Sequence, residues 1–305
     1  MSLWELPRSL AIVWWTLVGL FVGSFLNVCI HRLPKPGMSV WRPRRSHCPA
    51  CGRQLTWSEN VPLISWLLQV GRCRGCRWPI PWRYPLVEAL TAGLWLWTVW
   101  ITPAAEWPLL LVRLTVLSGL VVATFVDFDC FEIPDEVSIG GMLLAPLASL
   151  LVPQLHEATD VARALSDAPG EVDRLGSLGG CLSGMALGAG VLLAIGWVGK
   201  RVWGREAMGL GDVKLLAAGG GFVGPGGALF ALVAASLVAS LVGLGNMARF
   251  LWLSRARARS RGVRKPLGRS LATARVAGRY LPFGPYLALG IGIALLHWNH
   301  VQRWL

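Results

Sequence analysis

Between Leu215 and Ala248 the chain runs for 34 residues without a charged side chain. A helix that is apolar on every face must be buried deeply or surrounded by lipid. As one straight helix this stretch would be about 51 Å long, well beyond the ~30 Å of a hydrocarbon core. It also contains Gly219-Gly220-Gly221 and Gly224-Pro225-Gly226-Gly227, which interrupt helices, so it is divided near Pro225 into two spans. Further apolar windows long enough to cross a bilayer are Ser9–Ile30, Leu86–Ala105, Trp107–Val126, Val137–Pro153, Leu178–Gly199 and Leu281–Asn299. The expected fold is an all-α polytopic membrane protein with about eight transmembrane helices. Composition agrees, with 54% apolar and only 15% charged residues, which excludes a disordered chain. The first window is too long for a cleavable signal and is followed by a basic loop without a small-residue cleavage site, so it is read as a retained helix.

Charge tests the count of spans. The formal net charge is +13, yet long uncharged segments separate the basic clusters, which argues against a nucleic-acid binder. The loop Arg32–Arg83 carries ten Lys/Arg and one acid, Glu59. Lys200, Arg201 and Arg205 follow the fifth span, and Arg249–Arg279 holds ten basic residues and no acid. Residues 154–177 instead carry five acids and two arginines. Eight spans put every basic loop on one side and the acidic loop on the other. A single helix over 215–248 would move Arg249–Arg279 to the acidic side. The positive-inside rule then places the basic side in the cytoplasm and both termini outside. The basic loops serve as topology determinants and as contacts with anionic lipid headgroups.

The first basic loop contains Cys48-Pro-Ala-Cys51 and Cys73-Arg-Gly-Cys76, two knuckles with 21 residues between them. Such paired, zinc-ribbon-like knuckles let four thiolates converge on one tetrahedral zinc at about 2.3 Å. Arg53, Arg72, Arg74 and Arg77 favour the thiolate form. Four cysteines leave no open coordination position, so the zinc is expected to be structural. Cys29, Cys130 and Cys181 lack partners at metal spacing and are read as packing residues.

Acids near membrane depth are costly and are functional candidates by default. One group is Asp127-Phe-Asp129-Cys-Phe-Glu132-Ile-Pro-Asp135, at the end of the third span. The other is Gly209-Leu-Gly211-Asp212-Val-Lys214, at the start of the sixth. Both arrive at the same membrane face from different helices, so two carboxylates are able to meet. Asp129, Glu132 and Asp135 read more simply as solvated helix-end acids, and Lys214 and Arg113 as snorkelling anchors. No Ser nucleophile elbow is present, and the five histidines lie away from both acidic motifs in sequence. Two adjacent carboxylates that share one proton supply both the base and the acid that amide hydrolysis needs.

Together these pieces resemble the type IV prepilin peptidases (prepilin leader peptidase/N-methyltransferase) of the GxGD aspartic class. The match runs through Gly23-Ser-Phe-Leu-Asn-Val-Cys-Ile-His-Arg-Leu-Pro34, both cysteine knuckles, Asn60-Val-Pro62, Arg83-Tyr-Pro-Leu-Val-Glu88, the Asp127–Asp135 segment, Gly209–Lys214 and Pro282-Phe-Gly-Pro285. The resemblance implies that Asp127 and Asp212 are the catalytic pair, with Asp129 the nearby competitor for the first position. Cys130-Phe131-Glu132 is an unusual filling of the first motif. The implied substrates are prepilins or pseudopilins of a type IV pilus or type II secretion system. Their short basic leader is cut after glycine at the cytoplasmic face, and the new N-terminus is methylated from S-adenosylmethionine. The implied setting is a bacterial cytoplasmic (inner) membrane, with residues 1–31 as the first span, 32–85 as a cytoplasmic four-cysteine loop domain and 86–305 as the embedded peptidase domain. No Gly-rich βαβ fingerprint marks a methyl-donor site, and the sequence is silent on oligomeric state. Two other readings compete: a transporter using the aspartates as proton or cation sites, and a zinc-anchored assembly factor without catalysis.

Overall fold

The computed structural model describes residues 7–43, 45–167, 171–204, 208–260 and 281–302. Arg205 and the basic residues between 261 and 280 lie outside the described residues. Among the described residues the α-helices are α1 (Arg8–Arg32), α2 (Ile64–Leu68), α3 (Arg83–Ile101), α4 (Trp107–Cys130), α5 (Asp135–Leu151), α6 (Asp160–Ala164), α7 (Arg174–Trp203), α8 (Leu210–Ser260) and α9 (Gly284–Val301). Short 3-10 turns and isolated β-bridges accompany them. The chain is an all-helical membrane protein, and each apolar window of the sequence becomes a helix or a helix arm.

Among the described residues four helical segments are long and apolar enough to cross a membrane: Arg8–Arg32, Ala104–Cys130, Arg174–Val202 and Leu210–Ala256. The apolar helices α3, α5 and α9 are shorter, at 19, 17 and 18 residues. The second window is shifted from its expected place, since α3 runs Arg83–Ile101 rather than Leu86–Ala105. Pro103 explains the stop: it bars the helical region to Thr102, whose ψ is 126°.

The long uncharged stretch is one helix only by backbone bonding. Gly224, at φ 72° and ψ 178°, breaks α8 into two arms, a conformation that is essentially restricted to glycine. The arms then run in opposite directions past α9. Gly219 sits against Ile291 and Gly226 against Trp298, while Gly290 of α9 sits against Ala231. The division near Pro225 is therefore a sharp elbow. At that elbow Thr159 touches Gly224. Nearby, the fully buried His156 lies 3.0 Å from Ser177 Oγ and 3.1 Å from the Gly221 carbonyl oxygen, which accepts from its ring.

Side chains pack in two main groups. Leu26, Ile30, Val87, Val121 and Val126 join α1, α3 and α4. Leu117, Ala145, Leu192, Leu216 and Ile291 join α4, α5, α7, α8 and α9. Lipid tails are as apolar as these side chains, so close fit rather than water exclusion holds such bundles together. α4 contributes to both groups, and its last turn bears Asp127.

Candidate active site

α4 ends where Phe131 turns left-handed at φ 57°, and Pro134 starts α5 immediately afterwards. This tight corner holds Asp127 inward, at 5% exposure. Its Oδ2 accepts the Gly284 backbone N–H at 2.9 Å. That donor is available because Gly284 is the first residue of α9, where backbone N–H groups have no partner within the helix. Glycine is also sterically required there. A Cβ at this position would lie 2.7 Å from Asp127 Oδ2 and 3.1 Å from Ile133 Cδ1.

Asp212 occupies the first turn of α8 and is half-buried. Gly211 beside it packs on Ile133, the same side chain that Gly284 meets. Ile133 thus wedges the two acidic motifs against the start of α9. Asp127 and Asp212 line one open cleft of about 630 Å³, together with Leu33, Pro34, Glu132 and Glu136. Their charges are close enough to interact. No histidine lines this cleft among the described residues.

Two other acids of the first motif, Asp129 and Asp135, differ from the simple solvated-end reading. Asp129 accepts from Arg83 Nη1 at 2.5 Å, and that guanidinium also lies over the Phe125 ring. Asp135 accepts from Lys214 Nζ at 2.7 Å, which ties α5 to α8. Lys214 is thus an ion-pair partner and not a free snorkelling anchor. Arg113 donates to Thr102 Oγ1 at 2.9 Å. Glu132 and Glu136 are exposed on the cleft wall.

The cysteine loop is built from two copies of one turn. Cys48 N–H donates to Arg53 O, and Gly52 N–H to Cys48 O; Cys73 N–H donates to Trp78 O, and Arg77 N–H to Cys73 O, all at 2.9 Å. The matching positions Gly52 and Arg77 have φ of 70° and 60°. All four Sγ atoms lie within 4.8 Å of one another, and Cys48 Sγ and Cys76 Sγ are 3.8 Å apart. Sulfurs on a tetrahedron with bonds of about 2.3 Å would be separated by about 3.8 Å, so the set fits a metal ion. Backbone N–H groups of Cys76 and Gly75 hold the Cys73 thiol down at about 6, a form ready to ligate. Glu59 fastens the two copies. Its carboxylate accepts from Thr56 N–H at 2.9 Å, pairs with Arg53, and lies 3.9 Å from Arg74 Nε. That Thr56 bond, aided by Arg53, keeps Glu59 below the usual carboxylate range.

Sequence reasoning brought the two aspartates and the four cysteines forward, and the fold brings each set together. It gave no role to Gly284 or Arg83, and it took Lys214 only for a snorkelling anchor. A signal for Gly284 does exist, because prolines two residues before it and directly after it mark a helix start and hence free N–H groups.

Comparison with known proteins gives a consistent picture. Residues 17–102 match the bacterial peptidase A24 N-terminal domain, and residues 114–244 match the type IV leader peptidase family. The prepilin leader peptidase/N-methyltransferase of Aeromonas hydrophila is 35% identical over 98% of this chain and 96% of its own length. The Pseudomonas aeruginosa protein of the same name is 32% identical over 94% and 90%. A type 4 prepilin-like proteins leader peptide-processing enzyme of Escherichia coli is 33% identical over 75% of this chain and 81% of its own length. No solved structure matches the chain. None of these similarities supports the transporter reading.

Proposed function

This chain belongs to the type IV leader peptidase family, and on that premise we propose that it is a prepilin peptidase and N-methyltransferase whose peptide hydrolysis runs on Asp127 and Asp212. The observation that carries the assignment is the shared cleft: two carboxylates from separate helices face one cavity, and one of them is oriented by a backbone N–H. One carboxylate takes a proton from water while the other, protonated, gives its proton to the departing nitrogen. Gly284 N–H holds Asp127 in place, and Asp129 stays with Arg83 outside this exchange. The exposed Glu132 and Glu136 supply negative charge where a Lys- or Arg-bearing leader would lie.

The remaining assignments follow the same reading. Residues 1–31 form the first span, 32–85 the metal-bearing loop, and 86–305 the peptidase body. Cys48, Cys51, Cys73 and Cys76 hold one structural zinc, which supplies the core that an arginine-rich loop lacks. The ten basic residues of Arg32–Arg83 support a cytoplasmic side for that loop and for the cleft beside it, with the chain spanning a bacterial inner membrane. Prepilins or pseudopilins are the substrates, and S-adenosylmethionine is the methyl donor.

The decisive test uses purified full chain in lipid nanodiscs with a prepilin substrate. Asp127→Asn and Asp212→Asn should each abolish cleavage while the metal content stays at one ion per chain. Cleavage surviving in either variant overturns the pair.

A further inference from the structure

One side of α1 carries an apolar stripe. Leu10, Trp14, Leu17, Phe21 and Phe25 are all exposed, and steps of three or four residues put them on one side of the helix. On the opposite side Gly19 and Gly23 sit against Ala92 and Glu88 of α3, so the stripe faces away from the bundle and towards lipid. It ends at Phe25, seven residues or about 10 Å short of the last helical residue, Arg32. At that level the chain comes back. Trp41, from the loop after α1, lies against Phe25 with ring centroids 6.2 Å apart and ring planes at 38°.

Backbone contacts fix this return. Gly37 turns the chain at φ 80°, a conformation glycine adopts without steric cost. Arg32, only 7% exposed, donates through Nη1 to the carbonyl oxygens of Val40 and Pro43, both at 2.9 Å. Trp41 N–H donates to Ser39 Oγ at 3.2 Å. The hairpin so held presents an indole that is 75% exposed. Indoles favour the level of the headgroups, where the ring body meets acyl chains and the N–H meets water. Arg42, the next residue, is exposed as well and brings positive charge to that level. We propose that the Ser39–Arg42 hairpin is a membrane anchor. Trp41 enters the phospholipid interface beside Phe25, and Arg42 pairs with anionic headgroups.

Position gives the anchor a task. Leu33, Pro34 and Pro36 line the aspartate cleft, and the hairpin begins only three residues after Pro36. Two prolines with fixed φ make this link short and stiff. The depth of Trp41 in the bilayer therefore sets the level of that cleft wall against the membrane surface. A prepilin held by its own apolar helix presents its cleavage site at one level, whereas a free peptide is under no such constraint. The lipid contact stands independently of the peptidase reading, and its effect on cleavage rests on that reading.

The test uses the zinc-loaded full chain in nanodiscs of phosphatidylcholine and phosphatidylglycerol. Trp41→p-benzoylphenylalanine is irradiated and its photo-adducts are read by mass spectrometry. Lipid adducts at position 41 are expected; adducts to a second copy or to added prepilin alone, or none, overturn the anchor. In a second arm, Trp41→Ser and Trp41→Tyr are compared on a prepilin embedded in the same nanodisc and on a soluble peptide spanning its leader and cleavage site. A misplacement of about 1 Å costs on the order of 10²-fold in rate, so Trp41→Ser should lower kcat/KM by about tenfold for the embedded prepilin and by less than about twofold for the peptide. Trp41→Tyr, an aromatic ring with a polar tip, should restore cleavage of the embedded prepilin. Equal losses on both substrates, or no loss on either, overturn the proposal. Wild-type chain that leaves both substrates uncut overturns the peptidase reading, whereas lipid adducts at position 41 still support the anchor.

Discussion

Adding one methyl group at Gly284 tests whether Asp127 is set by the start of α9. The Cβ of Gly284→Ala would stand 2.7 Å from Asp127 Oδ2, whereas comfortable carbon–oxygen contact begins near ~3.4 Å, within the usual range of non-bonded separations. The carboxylate or the helix start must therefore give way by roughly 0.7 Å, and Ile133 Cδ1, 3.1 Å away, blocks one route. The same movement stretches the 2.9 Å bond from Gly284 N–H. A misplacement of about 1 Å costs on the order of 10²-fold in rate. Gly284→Ala should accordingly lower kcat for prepilin cleavage by about 10- to 100-fold, with little change in KM or in metal content. Gly292→Ala on the same helix is the control, because its Cβ would meet Leu117 at an ordinary 3.6 Å. Cleavage at wild-type rate by Gly284→Ala, or equal losses in both variants, would refute the reasoning.

Gly224→Ala should prevent α8 from folding back on itself, since φ 72° with ψ 178° strains any side chain and Thr159 leaves no room; loss of protease resistance and of cleavage together would be the readout. Asp129→Asn should keep most cleavage activity, because Arg83 holds this acid away from the cleft; a dead variant with normal metal content would show that the wrong aspartate has been chosen. His156 is held neutral by burial, with its pKa lowered from 6.5 to about 4. Its contribution is therefore fully present above pH 6.5 and is lost as pH falls towards 4, on the order of 3 kcal/mol in all. Thermal unfolding of the wild type should drop over that window, and His156→Gln should flatten the dependence; parallel pH curves would count against this.

The large-scale plan was legible because it rests on summed, local properties. Runs of apolar residues mark helices, and the side on which basic residues collect forced the break at Pro225 before Gly224 showed how it is made. The cysteine pairs were legible because metal ligation dictates spacing. The ion pairs were not: Arg83 is 46 residues from Asp129, and Lys214 is 79 from Asp135. Nothing in either neighbourhood announces its partner, so Asp129 and Asp135 read as solvated helix-end acids and Lys214 as a snorkelling anchor. His156 escaped notice for the same reason, since its partner Gly221 lies 65 residues away and offers only a carbonyl. The end of α3 moved because the window measured hydropathy, while Pro103 acts through backbone geometry.

The elbow in α8 has a mechanical consequence. Asp212 stands near the tip of a stiff rod, and the rod's footing, at Gly224, is twelve residues or about 18 Å away. That footing is gripped by Thr159 and His156, which belong to the segment between α5 and α7. The height at which the aspartate meets its partner is therefore adjusted from the far end of the rod, whose residues do not line the cleft. Lesions in that footing would silence the chemistry while leaving every residue of the cleft intact.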